Sequence, residues 1–276
     1  MNLYLDLIIW PFLAAVVISG IHVYLGMHVV SRGVIFVDLA LAQMAALGTA
    51  VGILIGLDPA STTTLVLAVL FTLVGAALFA SIRSISNRIP SEAIIGITYV
   101  VAAALMILLF SHSAEGAEEV NHLLVGSILF VTPLQVGEIF IIYSIIGLFH
   151  YRFRHQFMAT SRFRSEKLPP PKNIHLWDFL FYVTFGIVVT LSVKIAGVLL
   201  VFSFLIIPSV AALFFMDSPL RRMIYGWVFS LAGSVLGMFF SILFDTPTGT
   251  TVVVTLGLLL TLNTLIYLLK NKQLSG

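Results

Sequence analysis

Val34-Ile-Phe-Val-Asp-Leu-Ala-Leu-Ala-Gln-Met-Ala-Ala-Leu-Gly-Thr-Ala-Val-Gly-Ile-Leu-Ile-Gly56 decides the fold of this chain. It is long and apolar enough to cross hydrocarbon as a helix, which takes about 20 residues. Its small residues recur every fourth position, as Ala42, Ala46 and Ala50 and again as Gly48, Gly52 and Gly56. That spacing lets a neighbouring helix come close, the means by which helices associate where lipid removes the drive to escape water.

Outward from this segment the same kind of stretch repeats along the chain: Leu7 to Val30, Thr63 to Ile82, Glu92 to Phe110, Leu134 to His150, Leu176 to Val193, Gly197 to Phe215, Met223 to Phe244 and Thr250 to Leu269. The basic residues fall in every second gap, as Arg32, then Arg83 and Arg88, then Arg152 to Lys172, then Arg221 and Arg222, then Lys270 and Lys272. Of the 14 Lys and Arg only Lys194 breaks the alternation. Because positive loops stay on the cytoplasmic side, the expectation is an all-α, polytopic membrane helical bundle of about nine transmembrane helices, with the N-terminus outside and the C-terminus cytoplasmic. An eight-span version requires one short stretch to be re-entrant. Residues 1–276 then form a single transmembrane domain, with a cytoplasmic loop at about 151–173. The first apolar run has no basic region before it, so it reads as a retained span and not a cleaved signal peptide.

Composition agrees. The chain is 60% hydrophobic and only 9% charged, with a mean hydropathy of +1.12, whereas soluble domains carry about 25% charged residues. A net charge of +2 says nothing about partners and gives no sign of nucleic-acid binding. With no Cys, a metal would have to be held by His, Asp, Glu or neutral oxygen donors.

Ionisable and amide groups at bilayer depth usually face a protein interior or a water path. His22 in the first stretch and Asp38 and Gln43 in the second are the candidates for a metal path; each would serve equally as a buried hydrogen bond between helices. His28 lies nearer the cytoplasmic end, where snorkelling is enough to account for it. Asp38 and Gln43 are five residues apart, or roughly 140° around a helix, so they do not share one narrow pore. In Ser111-His-Ser-Ala-Glu-Gly-Ala-Glu-Glu-Val-Asn-His-Leu123 an external gap gathers His112, Glu115, Glu119 and His122. These are ordinary zinc or manganese ligands, although their spacing also suits the solvated face of a short helix. On the cytoplasmic side Arg152, Arg154, Arg162, Arg164 and Lys167 precede Pro169-Pro-Pro171. Anionic lipid headgroups would account for their charge; the length of the loop points to a docking element.

Several chemistries lack their residues. There is no Gly-x-x-x-x-Gly-Lys phosphate loop, no His-Glu-x-x-His and no Gly-x-Ser-x-Gly, so the sequence supports neither ATP binding by that route nor an enzyme.

Five segments, in order and on the matching sides of the membrane, resemble the membrane permease subunits of ATP-binding-cassette importers for zinc, manganese or iron. They are Ser31-Arg-Gly-Val-Ile-Phe-Val-Asp-Leu-Ala-Leu-Ala-Gln43, Ser91-Glu-Ala-Ile-Ile-Gly-Ile97, Leu123-Leu-Val-Gly-Ser-Ile-Leu129, Val193-Lys-Ile-Ala-Gly-Val-Leu-Leu-Val201 with Leu205-Ile-Ile-Pro-Ser-Val-Ala211, and Asp245-Thr-Pro-Thr-Gly249. The fourth contains Lys194 and resembles a turn of that family, which accounts for the one misplaced charge.

The resemblance implies a multi-pass protein of the inner (cytoplasmic) membrane that binds no cofactor itself. ATP would be used by separate cytoplasmic ATPases, an extracytoplasmic metal-binding protein would deliver the ion, and the permease would pair as a homodimer in membrane lipid. It also implies a coupling helix in the long basic loop, around Arg154, Phe157, Met158, Ala159, Thr160 and Arg162. The aspartate-proline approach usual before that helix is absent here. Gln43 stands where many family members have a histidine, and Asp38 is shifted by one position, about 100° around the helix. Either His22 substitutes from a neighbouring helix or the path holds its cargo loosely. Two other functions fit composition and topology alone: a secondary transporter driven by an ion gradient, and a non-transport scaffold or assembly factor.

Overall fold

The computed structural model of the chain describes residues 3–59, 61–82, 89–111, 126, 128–163 and 169–274. Among them are nine helices and no strand: α1 (Leu3–Arg32), α2 (Val37–Leu54), α3 (Thr62–Ile82), α4 (Ser91–Phe110), α5 (Pro133–Arg152), α6 (Arg154–Arg162), α7 (Ile174–Leu213), α8 (Pro219–Phe244) and α9 (Thr248–Leu274). A 3-10 turn at Ile128–Phe130 precedes α5. All except α6 are long and apolar enough to cross a membrane, which makes eight candidate spans and a multi-pass membrane protein. The ninth sequence stretch is the second part of α7, a 40-residue element whose helix is interrupted at Gly197 (φ 75°, ψ 160°). That backbone conformation is open essentially to glycine alone. A side chain on Gly126 would run into the backbone of Ala196 and Gly197, so two glycines let these segments cross in direct contact.

The chain folds as two compact units. One comprises Met1–Val30, Val125–Ser144 and Ile195–Gly276. Within it a Cβ on Gly26 of α1 would collide with the Leu205 carbonyl and the Ser209 hydroxyl of α7. Trp227 Nε1 of α8 donates to the Gly20 carbonyl of α1 at 2.9 Å. Gly233 and Gly237 of α8 lie against Leu256 and Val252 of α9, which is the close packing their four-residue spacing predicts. Asn263 ties α9 to both neighbours, accepting from the Tyr225 hydroxyl and donating to the Ala211 carbonyl at 3.2 Å.

The other unit comprises Ser31–Leu124 and Ile145–Lys194. Here the segment that opened the sequence reading becomes α2, and its Gly48 and Gly52 face α3, where a Cβ on Gly48 would lie 2.7 Å from the Leu67 carbonyl. Ala46, Leu47 and Ala50 on another side of α2 form a core with Ala102 and Met106 of α4. Thr72 of α3 and Thr190 of α7 share a hydrogen bond of 2.9 Å between their hydroxyls. α1 stops at Arg32 because Gly33 turns the chain at φ 66°, the left-handed position that commonly ends helices. The turn that follows is fixed from α4, where a Glu92 carboxylate oxygen accepts from the Ile35 amide. The first two segments of the family resemblance therefore meet in the folded chain.

Candidate functional site

α6 is nine residues long; Phe153 alone separates it from α5, and α7 begins at Ile174. Its apolar and hydroxylic residues recur at positions 157, 160 and 161, which places them on one face of a helix. They are the buried ones: Phe157 is 0% exposed, Thr160 1% and Ser161 2%. Arg154, His155 and Ala159 are exposed, and Met158 and Arg162 are half-buried. The inner face rests on an aromatic bed. The Phe157 ring stacks on His150 with 4.0 Å between centroids and 2° between planes, and meets Trp177 edge-on at 5.5 Å. His150 is itself fixed by a 2.8 Å hydrogen bond between Nε2 and the Thr184 hydroxyl.

The polar half of the anchor is Arg32. Its Nη1 donates to Asp178 Oδ1 at 2.7 Å, its Nε to Ser161 Oγ at 3.0 Å and its Nη2 to Thr160 Oγ1 at 3.0 Å. Both hydroxyls spend their own proton on the Phe157 carbonyl, each at 2.9 Å, which leaves their lone pairs to accept from the arginine. The guanidinium also lies 3.9 Å above the Phe181 ring. The Arg32 and Asp178 side chains are only 3% and 2% exposed. One guanidinium thus ties the end of α1, the inner face of α6 and the first turns of α7 together. The planar fork of arginine is what allows three partners at fixed angles; a lysine has no such geometry. α6 is thereby fastened to two long helices at once.

The structure places the sequence candidates as follows. Arg154, Met158, Ala159 and Arg162 lie on the outward side of α6, whereas Phe157 and Thr160 face inward and hold the helix down. His22 is 0% exposed; its Nδ1 is bonded to the Ile18 carbonyl at 2.8 Å and its Nε2 has no partner. Asp38 is buried in the other unit and accepts from the Leu39 amide at 2.8 Å. Gln43 is buried in that unit too, with its side-chain oxygen unpartnered. His28 does not snorkel: it is 2% exposed and packs edge-on against Tyr24, 4.8 Å between centroids. An aromatic neighbour on the same helix gives it a buried seat that its depth in the span does not reveal. His112, Glu115, Glu119 and His122 lie outside the described residues. Among the described residues no three His, Asp or Glu side chains gather to hold a metal.

Arg32 and Asp178 were absent from the sequence candidates. In the sequence Arg32 reads as one of the basic residues that orient the chain and as part of the segment Ser31 to Gln43 that carries the resemblance. Asp178 had a signal, being an acid at the start of an otherwise apolar run. Their 146-residue separation hides the pairing from any local pattern.

Comparison with known proteins extends over nearly the whole chain. The sequence profile described as the ABC 3 transport family matches residues 4–267. The chain is 23% identical over 251 residues to the manganese import system permease protein ScaB of Streptococcus gordonii, covering 90% of this chain and 86% of that one. It is 23% identical over 247 residues to the high-affinity zinc uptake system membrane protein ZnuB of Haemophilus influenzae, covering 88% and 90%. Among solved structures it resembles a chain of PsaBC from Streptococcus pneumoniae in complex with Fab, with a TM-score of 0.74, 23% identity and coverage of 93% and 90%. That likeness is one of fold.

Proposed function

This chain belongs to the ABC 3 transport family, and from that premise we propose that it is the permease subunit of an ATP-binding-cassette importer for a divalent transition metal. Manganese and zinc lead, because relatives are named for manganese import and zinc uptake; iron is the third candidate. The carrying observation is α6, a short helix anchored on its inner face and basic on its outer one. Basic loops lie on the cytoplasmic side, which supports an external N-terminus, a cytoplasmic C-terminus and a cytoplasmic ATPase as the partner of α6. Two permease copies in the cytoplasmic membrane would pair with two ATPases. An extracytoplasmic protein would deliver the ion.

The mechanism is alternating access. ATP binding and hydrolysis move the partner that grips Arg154, His155, Met158, Ala159 and Arg162. Arg32 passes that displacement to α1 and α7 without slack, since its hydrogen bonds and its ion pair are sheltered from water and weaken little with salt. His22, Asp38 and Gln43 are the polar groups available along the path. The loop carrying His112, Glu115, Glu119 and His122 would receive the ion outside.

The test is uptake of radioactive manganese and zinc by proteoliposomes holding this chain with its ATPase. Uptake is expected to require ATP. Replacing Arg154 and His155 by Glu is expected to lower ATPase association at least about tenfold by making the outer face repel, with membrane insertion and melting unchanged. Uptake by the chain alone under an ion gradient would replace this function by a secondary transporter. Normal ATPase association in the double variant would remove α6 as the contact.

A further inference from the structure

His22 is a fully buried imidazole with one nitrogen used and one idle. The Ile18 carbonyl can only accept, so Nδ1, 2.8 Å away, carries the proton. In the neutral ring Nε2 then holds an in-plane lone pair, and that atom is buried without a partner. Buried polar atoms are rarely left without a partner in native folds, and a bound cation satisfies this one. The arrangement is the one histidines adopt when they bind metals: the far nitrogen donates to a carbonyl, which sets the tautomer and the ring angle.

A second observation falls on a facing helix. Ser230 Oγ of α8 is also buried without a partner. It sits three and four residues after Trp227 and Gly226, hence on the same face of the helix. That face meets α1 beside His22, through Trp227 to the Gly20 carbonyl and through Gly226 against Val23. Two touching helices therefore each carry one unsatisfied donor atom suited to a borderline cation, an imine nitrogen and a hydroxyl oxygen.

We propose that His22 Nε2 is a transient ligand for the cargo cation, with Ser230 Oγ as its neighbour. The inference rests on the transport function given above. Few protein ligands suit a step in transit, because a path must release what it accepts. Binding there releases no proton, since Nε2 has none to lose.

The experiment uses the full chain with its ATPase in proteoliposomes, with manganese and zinc as separate probes. His22→Leu is expected to raise KM for both ions at least about tenfold, and Ser230→Ala to raise it by less. His22→Cys is expected to restore zinc uptake but not manganese uptake, because a thiolate is the softer ligand; a purely structural histidine would produce no such split. His175→Gln, at an exposed position, should behave as wild type. Should His22→Leu fail to fold, nitrogen NMR of histidine-labelled wild-type chain decides: metal is expected to shift the His22 Nε2 resonance and leave Nδ1 bonded to Ile18. Unchanged KM in a folded His22→Leu variant, or no shift of Nε2 at saturating metal, would overturn the proposal while leaving the permease function intact. Wild-type vesicles that move neither ion would instead count against that function itself.

Discussion

Replacing Asp178 by Leu should be among the most damaging single changes in the chain. It removes the carboxylate 2.7 Å from Arg32 and leaves a guanidinium that is 3% exposed with neutral partners only, Ser161 and Thr160. Stranding one member of a buried ion pair costs about 3–5 kcal/mol. On the scale of soluble domains of similar size, where about 1 kcal/mol moves the midpoint by 2–4 °C, the melting temperature should fall on the order of 10 °C. Adding Arg32→Met removes the stranded charge and replaces it with apolar volume, which in buried pairs is close to neutral. The double variant should therefore melt within a few degrees of wild type. It should nonetheless lose ATP-driven uptake, because α6 is then held by the Phe157 bed alone. Thermal melting of the purified chain in detergent, followed by size-exclusion fluorescence, reads the first effect, and vesicle uptake reads the second. An Asp178→Leu variant that melts like wild type, or a double variant no better than the single, would refute the assignment of a desolvated pair; normal uptake by the double variant would refute its part in coupling.

Three further outcomes follow from the backbone. Gly197→Ala forces a side chain onto φ 75°, ψ 160° and should cost about 1–3 kcal/mol, read as a lower melting point. Gly48→Leu should prevent α2 from seating on α3, since even a Cβ there lies 2.7 Å from the Leu67 carbonyl; folded yield should collapse. Gly96→Ala meets nothing within 4 Å and should be neutral or slightly stabilising, because alanine favours a helix by roughly 1 kcal/mol.

The spans were legible because hydrocarbon imposes one long apolar run per crossing, and the glycine that interrupts α7 is the first residue of the run Gly197 to Phe215. The close faces of α2 and α8 were legible for a related reason: small residues at fixed spacing have one use in a membrane helix. α6 was placed by the resemblance and by the length of its loop. Its buried side follows the i, i+3, i+4 spacing of Phe157, Thr160 and Ser161, whereas the resemblance marks a segment and carries no orientation. Arg32 and Asp178 were out of reach of any local pattern. Each has an adequate local explanation, and only folding brings residues 146 apart in sequence to hydrogen-bonding distance. The burial of His28 shows the same limit on a smaller scale, since depth in a span does not say which side of the helix a ring occupies.

The two faces of α6 draw on separate sets of residues. Phe157, Thr160 and Ser161 hold the helix in place from its buried side, while His155 and Ala159 are exposed and Arg154 reaches only the Tyr151 ring, 4.8 Å from its centroid. Substitutions on the outer stripe are therefore free of the folding penalty that any change to the inner one incurs. With α6 as the proposed ATPase contact, a few neutral surface steps would exchange one ATPase for another, and two lineages with the same membrane core would drift into mutually incompatible pairs. Conversely, grafting the outer stripe of one permease onto another is a route to redirecting partner choice without redesigning the membrane protein.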